Sequence, residues 1–153
     1  MPRLSQLSRS IEGKVAIITG AGSGMGRATA HLFADEGAQV ALIDVNEASL
    51  LAVQDELSQA GYVSRAWVLD LLDRDAIQTV VADIASHFGR IDILINNAGK
   101  LENMPFSQST FETFESVYKV NVFGLAELTR QLLPVINARG HVVNIASMGG
   151  VQG

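Results

Sequence analysis

The sequence predicts an α/β fold, a doubly wound parallel sheet with helices on both faces. Three observations predict it. Short, unbroken apolar runs recur five times, as in strands buried on both faces. Helical patterns separate them, so strand and helix alternate along the chain. Each run closes on or leads to a small or polar residue: Gly20, Asp44, Asp70, Asn96-Asn97 and Ser147. Right-handed crossovers bring those ends to one sheet edge, and ligands bind there, near the point where strand order reverses.

The first run, Val15-Ala16-Ile17-Ile18-Thr19, is closed by glycine. In the helical pattern after it, Met25, Ala28, Thr29, Leu32 and Phe33 share one face, which predicts them inward, with Arg27, Asp35 and Glu36 off it. Gly37 stops this helix. Val40 to Ile43 form the second strand, ending at Asp44. Asn46 caps a helix running to about Ala60 and stopped by Gly61. Ala66 to Leu69 form the third strand, ending at Asp70. Asp73 caps the next helix, with Ile77, Val80, Val81 and Ile84 inward and Gly89 as its stop. Ile93 to Ile95 form the fourth strand. A longer helical stretch runs from about Ser109 to Asn137, with Gly124 loosening its middle and Pro134 near its end. Gly140 precedes the fifth strand, Val142 to Ile145. One domain over residues 13–153 is expected, behind an N-terminal extension of residues 1–12.

Composition narrows the function classes. A compact domain of 153 residues buries roughly 68–70% of its unfolded surface, enough for a real core. Hydrophobic residues make up 48%, which argues against disorder. Eleven basic against sixteen acidic side chains give a net charge of −5, which argues against a nucleic-acid or anionic-membrane partner. The chain has no cysteine, so thiolate catalysis, disulfides and Cys-ligated zinc are excluded. His31, His87 and His141 are isolated and read as surface or helix-end residues, with no metal site expected. Residues 1–10 lack the apolar run of a secretory signal, and no stretch reaches the length of a membrane helix. A cytoplasmic protein is expected.

Thr19-Gly20-Ala21-Gly22-Ser23-Gly24-Met25-Gly26 lies between the first strand and the next helix. Glycines there let the backbone turn tightly and approach a phosphate. The helix N-terminus behind them offers free amides and a partial positive charge to a pyrophosphate. The spacing is Thr-Gly-x-x-x-Gly-x-Gly and not G-x-G-x-x-G, because Arg27 stands where the latter needs its last glycine. Asp44 closes the second strand, 24 residues after Gly20. A carboxylate at that place accepts hydrogen bonds from ribose hydroxyls and repels a 2′-phosphate. Neither Val45 nor Ser23 brings a compensating basic charge, so NAD is favoured over NADP. The structural rivals are a merely flexible loop and an aspartate that caps the next turn.

Thr19 to Gly26, Asn96-Asn97-Ala98-Gly99, Asn121 and Asn144-Ile145-Ala146-Ser147 together resemble the classical short-chain dehydrogenase/reductase family, in order and spacing along nearly the whole chain. The resemblance implies a Rossmann-like sheet and a role for each matched residue. Gly20, Ser23, Gly24, Met25 and Gly26 would form the cofactor loop, with Met25 where the family usually has isoleucine. Asp44 would meet the adenine ribose, and Asp70 with Leu71 would lie beside the adenine. Asn97, Ala98 and Gly99 would line the cofactor, and Asn96 would steady the central strands. Asn121 would help hold a proton-relay water. Ser147 would bond the reacting oxygen of the substrate. Taken alone, Asn121 reads as a polar helix residue and Ser147 as a turn former; within the matched series both read as functional.

The resemblance also implies a catalytic tyrosine, followed four residues later by lysine, about a dozen residues beyond Ser147. No such pair occurs within the 153 residues: Tyr62 is followed at that distance by Ala66, and Tyr118 by Val122. The sheet is therefore expected to be incomplete at its C-terminal side, with strand five as an exposed edge, and the 153 residues alone to be nearly inactive. The expected activity of the parent is NAD-dependent interconversion of a secondary alcohol and a ketone, by a dimer or tetramer. A non-catalytic nucleotide-binding or interaction module is the alternative. An S-adenosylmethionine methyltransferase would share the glycine loop and the strand-two acid, but it explains neither Asn96 to Gly99 nor Asn121 with Ser147.

Overall fold

A computed structural model describes residues 10–147. Most of the expected N-terminal extension, residues 1–9, lies outside the described residues, as do residues 148–153 of the expected domain. Five strands form one parallel sheet: β1 (Val15–Thr19), β2 (Gln39–Asp44), β3 (Ser64–Val68), β4 (Ile93–Asn96) and β5 (His141–Asn144). Their order is β3-β2-β1-β4-β5, so the order reverses between β1 and β4. The cleft at their C-terminal ends is where this architecture binds ligands.

Alternate side chains of each strand serve opposite faces, because the strand period is two. Ile17, Ile43 and Leu94 pack on one face with Ile77 and Ile84 of α3 (Arg74–Phe88) and Leu128 and Leu132 of α5 (Leu125–Leu132). Ala16, Ile18 and Leu42 pack on the other with Ala30 and Ala34 of α1 (Gly24–Asp35) and Leu50, Val53 and Leu57 of α2 (Glu47–Gln59). The expected helix boundaries hold where local chemistry sets them. The Asn46 side chain accepts the Ser49 N–H at 3.0 Å, and Asp73 accepts that of Ala76 at 2.9 Å. Gly89 ends α3 at φ 70°, the left-handed region that favours glycine.

Two expectations fail. The predicted inward face of α1 is largely its outward face: Met25, Ala28 and Leu32 are exposed, Thr29 and Phe33 are half-buried, and Gly26, Ala30 and Ala34 are buried. Small residues four apart let the helix lie close against the sheet, and that proximity outweighs the larger apolar side chains beside them. The long helical stretch, expected from about Ser109 to Asn137, is also shorter, while its middle is loosened as expected, by a turn that ends on Gly124. Thr110 caps α4 (Phe111–Tyr118) in a reciprocal capping box with Thr113. A π-helical turn, Lys119–Gly124, then joins α4 to α5, which ends at Leu132. Pro134 has no N–H to continue the helix. A 3₁₀ turn at Phe106–Gln108 was not foreseen, and β2, β3 and β5 each begin one or two residues earlier than expected. Among the described residues β5 is the edge beside β4, and each of its residues is exposed.

At the opposite end of the sheet, Asp92 ties three strands together. Its carboxylate accepts the Val15 N–H at 3.0 Å, the Asn137 side-chain amide at 3.0 Å and the Arg90 guanidinium Nε at 2.8 Å. Its backbone N–H donates to the Val15 carbonyl, and its carbonyl accepts from the His141 N–H. Burial pushes its pKa up, but the Arg90, Val15 and Asn137 donors outweigh burial and hold it below the ordinary aspartate value. Asp92→Ala is expected to cost about 2–3 kcal/mol by stranding the Val15 N–H and the Asn137 amide, read as a lower urea midpoint at unchanged slope. The lowered folded pKa fixes the sign with pH. The unfolded chain takes up the proton first, near pH ~3.9, so the contribution is complete above that value and fades as pH falls through the folded pKa. Asp92→Asn should flatten this part of the acid limb.

Candidate functional site

A cavity of about 540 Å³ opens over the C-terminal ends of β1, β2 and β4. Its first wall is the turn from β1 into α1, with Gly20, Ser23, Gly24 and Met25. Gly20 and Gly24 have φ of 66° and 52°, so the loop uses the left-handed region twice. Gly26 lies beneath the loop and does not line the cavity: a Cβ there would stand 2.0 Å from the Gly20 carbonyl oxygen. A Cβ on Gly24 would meet nothing within 4 Å, so the space over the start of α1 is open. Ser23 occupies the N-cap position of α1 without a side-chain hydrogen bond to the helix. The first-turn amides of α1 are thus left for a ligand or water.

Thr19 locks this loop to the next one, a role that sequence reading did not give it. Its hydroxyl accepts the Asn97 N–H at 3.0 Å and the Ala98 N–H at 2.9 Å, and donates to the Ile95 carbonyl at 3.3 Å. That uses one donor and both lone pairs. The Asn97 amide returns a bond to the Thr19 carbonyl at 3.0 Å. The only sequence signal for this hub is that Thr19 opens the glycine motif. Asn97, Ala98 and Gly99 line the cavity from this second loop.

Asp44 and Val45 line a third side, at the end of β2. One Asp44 oxygen accepts the Gly22 N–H at 2.9 Å and the other accepts the Asn46 N–H at 2.9 Å. Two backbone donors therefore aim the carboxylate, and each oxygen keeps a lone pair for a ligand. Asp70 and Leu71 line the remaining side with Leu72, whose N–H donates to Asp70 at 2.9 Å. Ile43, Leu69, Leu72 and Val120 complete the lining and were not singled out from sequence; Leu69 and Leu72 flank the matched Asp70-Leu71 pair.

The two expected catalytic residues lie outside this lining. Ser147 follows β5 and is exposed at the end of the described residues. Asn121 lies in the π-helical turn, and its side chain is committed to the Lys100 peptide. Its carbonyl oxygen accepts the Lys100 N–H at 2.6 Å and its amide donates to the Lys100 carbonyl at 2.9 Å. It braces the loop after Gly99. Asn121→Leu removes both the acceptor of the Lys100 N–H and the donor to the Lys100 carbonyl. It should speed hydrogen exchange at the Lys100 amide by roughly tenfold, the equivalent of one lost hydrogen bond. Asn96 is buried, as a strand-steadying residue should be, and its amide reaches Thr129 at 3.0 Å and Asn144 at 2.9 Å.

The donor set suits a dinucleotide: open amides for phosphates, a fixed carboxylate for hydroxyls and an apolar wall at Ile43, Leu69 and Leu71. Among the described residues no helix is long and apolar enough to cross a membrane. Comparison with known proteins agrees with this geometry. The 3-oxoacyl-acyl-carrier-protein reductase FabG of Thermotoga maritima is 37% identical over 145 residues, covering 94% of this chain and 59% of that protein. The structure of a short chain dehydrogenase/reductase from Burkholderia phymatum in complex with NAD is alike at TM-score 0.88 and 34% identity, over 95% of this chain and 53% of that one. An NAD+-bound xylitol dehydrogenase is alike at TM-score 0.85 and 35% identity, over 95% and 57%. The chain thus spans between about half and three fifths of the length of these relatives. The model of the short chain dehydrogenase family matches residues 14–153, and the chain belongs to that family.

Proposed function

We propose that the protein carrying this chain is an NAD-dependent oxidoreductase that interconverts a secondary alcohol and a ketone by hydride transfer. The observation that carries the cofactor assignment is the Asp44 carboxylate, held by the Gly22 and Asn46 amides at the cavity wall, with Val45 beside it. In this position it accepts the adenine ribose hydroxyls and excludes a 2′-phosphate. The first turn of α1, with Ser23, Gly24 and Met25, takes the pyrophosphate, while Gly20 and Gly26 keep the loop low enough for it. Asp70 and Leu71 flank the adenine, and Asn97, Ala98 and Gly99 follow the nucleotide towards the nicotinamide. Bound NAD supplies the hydride acceptor. Ser147 orients the substrate oxygen, and Asn121 holds the neighbouring Lys100 segment in place.

Proton transfer needs a base matched to the alcohol, an effect worth ~10²–10⁴-fold. The 153 residues contain no Tyr-x-x-x-Lys, so a polypeptide of these residues alone is expected to be nearly inactive. The intact protein is read as a cytoplasmic homo-oligomer acting on a small molecule. Two observations test this reading. The reading frame beyond Gly153 should encode Tyr-x-x-x-Lys about a dozen residues past Ser147. The intact protein should form NADH with a secondary alcohol from a chemically varied panel. A frame that continues without that motif removes the dehydrogenase assignment and leaves a nucleotide-binding module.

A further inference from the structure

Gly124 ends the π-helical turn and leads into α5 at φ −62° and ψ −49°, ordinary helical values. Its backbone therefore has no conformational need for glycine, which costs about 1 kcal/mol relative to alanine inside a helix. The need is for space. A Cβ on Gly124 would lie 2.8 Å from the Leu71 Cβ, 3.1 Å from the Leu71 carbonyl oxygen and 3.3 Å from the Lys119 carbonyl oxygen. None of these atoms is the far end of a flexible side chain. Gly124 and Leu71 are both buried, and Leu71 is a wall of the cavity. The same helical turn presents Val120 to the cavity and holds the Lys100 peptide through Asn121.

We infer that Gly124 is a positioning residue for the adenosine end of the nucleotide site. The helix seats directly on Leu71 and sets the Asp70–Leu72 wall relative to Val120. The wall has little room to retreat, because the Leu69 N–H just before it is anchored to the Asp44 carbonyl at 3.0 Å. A methyl group at position 124 must therefore push Leu71 into the cavity or lift the turn with Val120 away from it. The ligand class concerned is an adenosine nucleotide. The inference rests on the proposed nucleotide reading and adds a residue that touches no ligand.

The test is calorimetric titration of the intact protein with AMP, ADP-ribose and nicotinamide mononucleotide. Gly124→Ala should weaken AMP and ADP-ribose by ~5- to 100-fold, the range of overpacking effects, and leave nicotinamide mononucleotide unchanged. Leu132→Ala, buried on the same helical run, should lower thermal stability without changing AMP affinity. Unchanged AMP affinity in Gly124→Ala, or equal losses for all three ligands, would overturn the inference. A second measurement needs no variant: AMP should slow amide exchange at residues 120–125 together with 70–72 in the wild-type protein. Protection confined to residues 44–46 and 70–72 would overturn it even if Gly124→Ala failed to fold. Wild-type protein that binds neither AMP nor NAD removes the nucleotide reading itself, and this inference with it.

Discussion

Gly26→Ala is expected to weaken nucleotide binding severely and to destabilise the fold. The added Cβ would stand 2.0 Å from the Gly20 carbonyl oxygen, 2.6 Å from the Gly20 carbonyl carbon and 2.6 Å from the Asn97 amide nitrogen. Two of those contacts are backbone, so no rotamer change relieves them. Either α1 moves away from the sheet or the loop rises into the cavity. Overpacking of this kind costs about 1–3 kcal/mol and occasionally more. The displacement also breaks the Asn97 bonds that lock the loop, so affinity for NAD should fall at least ~100-fold, or about 2.7 kcal/mol. Gly24→Ala is the informative contrast. It meets nothing within 4 Å but has a positive φ, so it should cost only ~1–2 kcal/mol of backbone strain. Calorimetry and thermal melts on both variants check the order. Equal tolerance of the two would show that the close approach of α1 to the loop does not shape the site.

The second large effect is on nucleotide choice. Asp44→Ala removes a carboxylate that two backbone amides aim into the cavity. Charge-assisted hydrogen bonds contribute about 1.5–3 kcal/mol, so NAD affinity should fall by roughly 10- to 100-fold. NADP should lose nothing comparable, because the variant no longer repels its 2′-phosphate. The ratio of the two dissociation constants should therefore move towards NADP by at least ~10-fold. An unchanged ratio would mean that Asp44 only holds the Gly22 and Asn46 amides, the structural reading of a strand-end aspartate.

Much of the scaffold was legible because it rests on local chemistry. Asn46, Asp73 and Gly89 set helix ends through partners within four residues of themselves, and the apolar runs need no distant information to read as buried strands. The packed face of α1 was not legible, since apolar periodicity weights Leu32 and Met25 above Gly26 and Ala30. The winning face is chosen by how closely the helix must approach the loop. The loosening at Gly124 was legible, but not that it takes the form of a π-helical turn over Lys119–Gly124. Within the site, motif matching found most of the residues around the cavity but not what connects them. Thr19 meets Asn97 and Ala98, and Val15 meets Asp92, across more than seventy residues of chain. No local pattern encodes such pairs. Asn121 shows the same limit: its position follows from the motif, while its engagement with Lys100 follows only from the fold.

The cavity over β1, β2 and β4 is proposed to bind NAD and to reject NADP. Calorimetric titration of the intact protein with each nucleotide tests this assignment most directly. One NAD should bind per chain, with a dissociation constant within ~1 μM–1 mM, the usual working range of enzyme ligands, and NADP should bind at least ~10-fold more weakly. No heat with NAD, or NADP bound more tightly than NAD, would contradict it.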